Sequence, residues 1–133
     1  MIVVDASALV TILLREPDWD RFLGAILRAG GGVISPVNAW EAYIRTSHLR
    51  DETGRLDAER LMVKLGVKIG SIDAEQTQIA VEARLRFGRG VLNMGDCFAY
   101  ALAKTHGDGA LLYKGDDFPR TDILSALPGP PAA

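Results

Sequence analysis

The chain opens on Ile2-Val3-Val4, three apolar residues without polar alternation, closed by Asp5. This pattern predicts a short strand covered on both faces, as in a parallel sheet sandwiched by helices. Residues 8–14 predict a short helix. Pro17 opens another, in which Trp19, Phe22, Leu23, Ile26 and Leu27 recur at helical spacing until Gly30-Gly31-Gly32 stops it. Val33-Ile34 predicts a second strand, and Ser35-Pro36, a cap followed by a first-turn proline, starts a helix running to Arg50. Its expected buried stripe is Val37, Trp40 and Ile44. Residues 51–54 turn polar, after which Asp57 is expected to cap a helix with Leu61, Met62 and Leu65 inside and Gly66 at its end. Val67-Lys68-Ile69 predicts a third strand. Asp73 and Gln76 have the spacing of a capping box for a helix up to Phe87. A glycine-bearing loop, 88–95, then feeds a helix over 96–106 that packs through Phe98, Ala99, Leu102 and Ala103. Residues 110–113 predict the last strand.

Strands alternating with helices imply an α/β sandwich, with a mostly parallel sheet and helices on both faces. No internal repeat or linker interrupts the pattern, so residues 1–127 are expected to form one domain. The proline- and alanine-rich residues 128–133 are expected to be an unstructured tail. In such sheets ligands bind beyond the carboxyl ends of the strands, where the strand order reverses. That edge is where chemistry is expected.

Composition narrows the class. In 133 residues there are 15 Lys+Arg against 17 Asp+Glu, a net charge of −2, with 48% hydrophobic and 24% charged residues. This is the balance of one globular domain rather than of a disordered chain. The longest apolar run, 8–14, is far shorter than the ~20 residues of a membrane span. No basic leader or small-residue cleavage site precedes the first strand, so secretion is not expected. A single cysteine, Cys97, excludes an intrachain disulfide and makes the cytoplasm the expected compartment. Cys97 has no histidine near it in sequence to activate it, and reads as a small buried hydrophobe. With only His48 and His106 besides, a zinc site of nitrogen and sulfur ligands is not available, so any metal must be held by oxygen.

Four acidic positions stand out. Asp5 ends the first strand, where it either faces the crevice or caps the helix beginning near Ser7. Glu41 borders the predicted buried stripe of its helix, or pairs with Arg45 one turn later. Asp96 enters the first turn of its helix after Gly95, a favourable place for a carboxylate by capping alone. Asp116 and Asp117 follow the last strand, and turn chemistry is their plainer role. Each acid has an ordinary explanation, but three of the four sites fall at one edge of the sheet. Like charges gathered there repel unless a cation binds among them. Mg²⁺ or Mn²⁺ is the cation expected, because oxygen ligands with open water positions suit hard divalent ions and phosphodiester chemistry.

The residues carrying these acids resemble the PIN-domain ribonucleases, and within them the VapC toxins of bacterial toxin–antitoxin pairs. Ile2-Val3-Val4-Asp5-Ala6-Ser7-Ala8-Leu9 resembles the opening motif, Trp40-Glu41-Ala42 the second, and Leu92-Asn93-Met94-Gly95-Asp96-Cys97-Phe98-Ala99-Tyr100-Ala101 the third. Leu111-Leu112-Tyr113-Lys114-Gly115-Asp116-Asp117-Phe118 with Thr121-Asp122-Ile123 resembles the closing motif of one subgroup. The resemblance implies a PIN-like three-layer α/β/α fold and a metal-dependent endoribonuclease neutralised by a VapB-type antitoxin. It implies Asp5 and Asp96 as metal ligands, Glu41 completing the triad, and a fourth acid for which Asp116 is preferred to Asp117. Ser7 resembles a polar residue of the opening motif that binds water or phosphate. A homodimer is also implied. Trp19, Phe22 and Ile26 read either as core or as a groove for an antitoxin helix, and Trp40 and Tyr43 as core and interface aromatics.

A net charge of −2 does not attract RNA to the domain as a whole, so local arginines are expected to contact phosphate. Arg84, Arg86 and Arg89 form one candidate cluster, Arg45 and Arg50 another. Two alternatives come from other classes. A receiver-like signalling domain shares the α/β form, but wants two adjacent acids after the first strand, where this chain has Asp5 followed by Ala6 and Ser7. A PIN fold retained as a binding module, without nuclease activity, has no need of every acid.

Overall fold

The structure is a computed structural model that describes residues 1–106 and 109–127. The expected tail, 128–133, lies outside the described residues. Along the chain run β1 (Ile2–Val4), α1 (Ala6–Leu13), α2 (Trp19–Ala29), β2 (Gly32–Ile34), α3 (Pro36–Leu65), β3 (Val67–Ile69), α4 (Ala74–Phe87), α5 (Met94–Thr105) and β4 (Ala110–Leu112). A single 3-10 turn (Phe118–Arg120) and the short β5 (Leu124–Ser125) follow. The strand order is β3-β2-β1-β4-β5 and every pairing is parallel, with Val3 opposite Val33 on one side and Leu111 on the other.

Alternation along the three central strands builds two cores. Val3, Val33 and Leu111 point into one with Ala80, Ala83, Tyr100 and Leu102 of α4 and α5. Val4, Ile34 and Leu112 point into the other with Leu9, Val10, Phe22, Ile26 and Met62 of α1, α2 and α3. The chain is therefore the expected three-layer sandwich, with its sheet parallel throughout. The order reverses between β1 and β4, because β2 and β3 build outward on one side of β1 and β4 and β5 on the other. The carboxyl end of that pair is the crevice of a doubly wound sheet.

Helix α3 departs from the expected layout. It is one element with a kink at Arg50 and Asp51, and the second half restarts at once, so Asp57 lies inside the helix and pairs with Arg50 at 3.6 Å instead of capping. The buried face of its first half is Asn38, Ala39, Ala42 and Thr46, while Trp40 is 60% exposed. Of the expected stripe, Trp40 is thus on the outer side while Val37 and Ile44 are half-buried. Small residues on the inner face let α3 come close to its neighbours, and bulk is excluded there for the same reason. The 3-10 turn and β5 were not anticipated, since two strand residues leave no periodicity to read.

Candidate active site

Asp5 is the N-cap of α1 and is only 5% exposed. Both readings of its position hold together: it caps the helix and it sits at the reversal of strand order. Its Oδ2 accepts from the Ser7 N–H at 3.1 Å and from the Ser7 hydroxyl at 2.5 Å. The same Ser7 Oγ accepts from the Lys114 N–H at 2.9 Å, which ties the loop after β4 to the end of β1. Ser7 is thus engaged with protein groups on both sides.

Glu41 reaches this carboxylate from α3. The two acids share one donor, the side-chain amide of Asn38, which lies 3.0 Å from Glu41 Oε1 and 3.4 Å from Asp5 Oδ1 and also donates to the Gly95 carbonyl at 3.0 Å. Gly95 is the second residue of α5, and its bare Cα leaves room for the Glu41 carboxyl, which a side chain at 95 would displace. Asp96 follows in the same turn. Asn93 caps α5 by accepting from the Asp96 N–H at 2.8 Å, and Asp96 Oδ2 accepts from the Asn93 N–H at 3.1 Å, a reciprocal capping box.

The electrostatics are those of carboxylates crowded out of water. Burial holds Asp5 above its ordinary range. Glu41 is pushed up to about 7, first by burial and then by the charge of Asp5, with a further push from Asp96. Asp96 is raised to about 6 by burial, helped by Asp5 and by Asp117. Of the two acids after β4, both exposed, Asp117 is the one whose charge reaches Asp96. Arg45, one turn beyond Glu41, pulls both Asp5 and Glu41 down, which places its positive charge beside the pair. Among the described residues no three acidic, histidine or cysteine side chains are drawn into a ready-made metal cage.

The arginines of the glycine-loop flank divide. Arg84 is exposed and lines a small apolar hollow with Met94, Cys97 and Phe98 at the start of α5. Arg86 turns away and meets Asp122 at 3.3 Å, in a cluster where Tyr100 Oη–H and Lys104 Nζ also donate to Asp122 at 2.7 and 3.1 Å. Arg89 is exposed in the loop. Cys97 is buried, and burial raises its thiol, in keeping with a core residue. Phe22 and Ile26 belong to the core, whereas Trp19 is half-buried beneath the Arg15 guanidinium, 4.4 Å from its ring centre. Asn38 was absent from the sequence expectations. Its only signal there is a polar residue three before Glu41 on one helix face, a spacing too common to single it out.

Residues 2–124 match the PIN domain family. Ribonuclease VapC of Mycolicibacterium smegmatis is 36% identical over 127 residues, covering 92% of this chain and 98% of the relative. Ribonuclease VapC42 of Mycobacterium tuberculosis strain H37Rv is 36% identical over 130 residues, covering 93% and 98%. Among solved structures, that of Mycobacterium tuberculosis VapC20, described as a sarcin-ricin loop cleaving toxin, superposes with a TM-score of 0.77 at 15% identity. It covers 96% of this chain and all of its own.

Proposed function

We propose, on the premise that this chain belongs to the PIN-domain family and within it to the VapC ribonucleases, that it is a metal-dependent endoribonuclease toxin hydrolysing RNA phosphodiester bonds. The observation that carries this reading is the buried Asp5 carboxylate at the strand-order reversal, facing Glu41 across one shared amide with Asp96 beside them.

The donor set fits a hard divalent ion in its chemistry: it is all oxygen, and beyond the effect of burial the charge of Asp5 raises both Glu41 and Asp96. Asp5, Glu41 and Asp96 would hold Mg²⁺ or Mn²⁺, with Asp117 as the fourth acid in place of Asp116. Such an ion, when bound, lowers the pKa of a water and stabilises the charge that develops on phosphorus oxygens. Ser7 fixes Oδ2 of Asp5 by two hydrogen bonds, and Oδ1 accepts from the Asn38 amide that also serves Glu41. Glu41, held by Asn38 against Asp5, is placed to orient the attacking water. Arg45, whose charge acts on Asp5 and Glu41, is the arginine best placed for the phosphate contacts that the net charge of −2 does not supply, and Arg84 at the start of α5 is a second candidate.

A VapB-type antitoxin is the partner, and a homodimer the assembled form. The apolar side chains of Val81, Leu85 and Met94, exposed on α4 and α5, support self-association. No helix among the described residues is long and apolar enough to cross a membrane, and the cytoplasm is the proposed compartment. The test is incubation of total RNA with purified, antitoxin-free protein in Mg²⁺ or Mn²⁺. Discrete fragments that disappear with EDTA and with Asp96→Asn are expected. Intact RNA with both metals, from folded protein, would overturn the reading.

A further inference from the structure

Asn38 is completely buried, and its Nδ2 has three acceptors within reach, on three different elements: Asp5 Oδ1 at the end of β1, Glu41 Oε1 on α3 and the Gly95 carbonyl of α5. An amide nitrogen carries two hydrogens, so these are shared among the three acceptors. Only one orientation of the amide is tenable. Turned over, it would set Oδ1 against two carboxylate oxygens and a carbonyl. In the orientation that works, Oδ1 is itself buried without a partner. Such an atom costs stability, and alanine in a helix would avoid it. The rest of the buried face here is Ala39, Ala42 and Thr46, so the stability of α3 does not call for an amide at 38.

We propose that Asn38 is a positioning residue for the acidic site, one that sets the spacing of Asp5 and Glu41 and anchors both to the first turn of α5. This rests on the nuclease reading above and adds a residue to it. The choice of an amide is chemically specific. A lysine or arginine would bind the two carboxylates and compete with the cation they are there to hold. A serine has a single hydrogen to offer. An amide donates to both acids while adding no charge, so it orders the pair without neutralising it.

The test uses the full chain with Asn38→Ala and Asn38→Leu, read in three ways: Mn²⁺ affinity by calorimetry without RNA, kcat and KM for RNA cleavage, and Tm in EDTA. Mn²⁺ affinity is expected to fall about 10- to 100-fold. The fall in kcat should be of similar size with KM within about twofold, since the amide does not contact substrate. Tm in EDTA should move by less than about 5 °C, as for one altered contact in a small domain. If neither variant folds, Asn38→Ser, which retains one donor, takes their place with an intermediate loss expected. A folded variant that binds Mn²⁺ and cleaves RNA as the natural chain does overturns the proposal. Failure of the natural chain to cleave, with Mn²⁺ still bound, sinks the nuclease reading alone, and the calorimetric comparison then decides on Asn38. A natural chain that neither binds Mn²⁺ nor cleaves removes both.

Discussion

Three carboxyl groups at the carboxyl edge of the sheet share a direction of shift, and the sign has a measurable consequence. Asp5, Glu41 and Asp96 all take up protons more readily in the folded chain than in water, Glu41 at about 7 against 4.5 and Asp96 at about 6 against 3.8. A group whose folded pKa is raised stabilises the fold fully below its unfolded value, and that contribution is lost as pH rises through the folded value. In EDTA, stability should therefore decline as pH rises from about 4 through 7, where Asp96 and then Glu41 ionise, by about 1–3 kcal/mol once solvent screening of these half-buried groups is allowed for. Asp122 acts in the opposite sense, because Tyr100 and Lys104 lower its pKa, so its contribution fades only below about pH 4. Urea denaturation at a series of pH values reads this directly. Asp5→Asn should make the decline shallower without abolishing it, because burial, the larger cause of both other shifts, remains while the charge of Asp5 is removed. Added Mn²⁺ should reverse it, with the largest stabilisation at the highest pH. A metal-free chain whose stability climbs from pH 4 to 7 would contradict the assigned burial of these acids.

At the scale of elements, apolar runs and cap residues located β1 to β4 and the helices, with α3 read as two, because a buried parallel strand and an amphipathic helix each leave a period in the chain. What the pattern did not carry is which face of α3 turns inward. Val37, Trp40 and Ile44 have helical spacing, but packing selects the side lined by Ala39 and Ala42, and only the neighbouring helices determine that. The acids were legible one by one at strand ends and first turns. Asp116 and Asp117 are not separated by sequence pattern, since both are adjacent turn residues; in the fold the charge of Asp117 is the one that acts on Asp96. The α3 kink was legible as a polar stretch but not as strain. Asp51 sits at φ 57°, ψ −151°, a region that a Cβ makes costly by about 1–3 kcal/mol and that glycine enters freely. Asp51→Gly should therefore stabilise the chain by about 1 kcal/mol, the relief of strain less the added freedom of the unfolded chain. A lower urea midpoint for this variant would mean that the Asp51 side chain contributes more than its backbone costs.

The whole molecule explains why the site has to be assembled rather than carried on one segment. Helix α3 packs in the core on one face of the sheet and α5 in the core on the other, so the sheet separates them along most of their length. They meet beyond the carboxyl edge of the strands, where Asn38 donates to the Gly95 carbonyl and Glu41 lies over the Gly95 Cα. The candidate site is this meeting point, joined by Asp5 at the end of the central strand. Its geometry depends on the two cores fixing both helices, and on residue 95 having no side chain. Gly95→Ala tests the dependence without attacking a core. The added methyl group would fall on the Glu41 carboxyl, the movable end of a flexible side chain, so Glu41 should swing away while both helices stay in place. Alanine is also the better helix former by about 1 kcal/mol. Thermal stability should be unchanged or slightly raised, whereas a shift of about 1 Å in a group at the reacting centre should cost roughly 10²-fold in RNA cleavage. Asp96 keeps its capping box in this variant, so the loss reports on Glu41. Full activity in Gly95→Ala would show that Glu41 works from some other position. Lost folding would show that α3 and α5 meet more tightly than one flexible side chain can relieve.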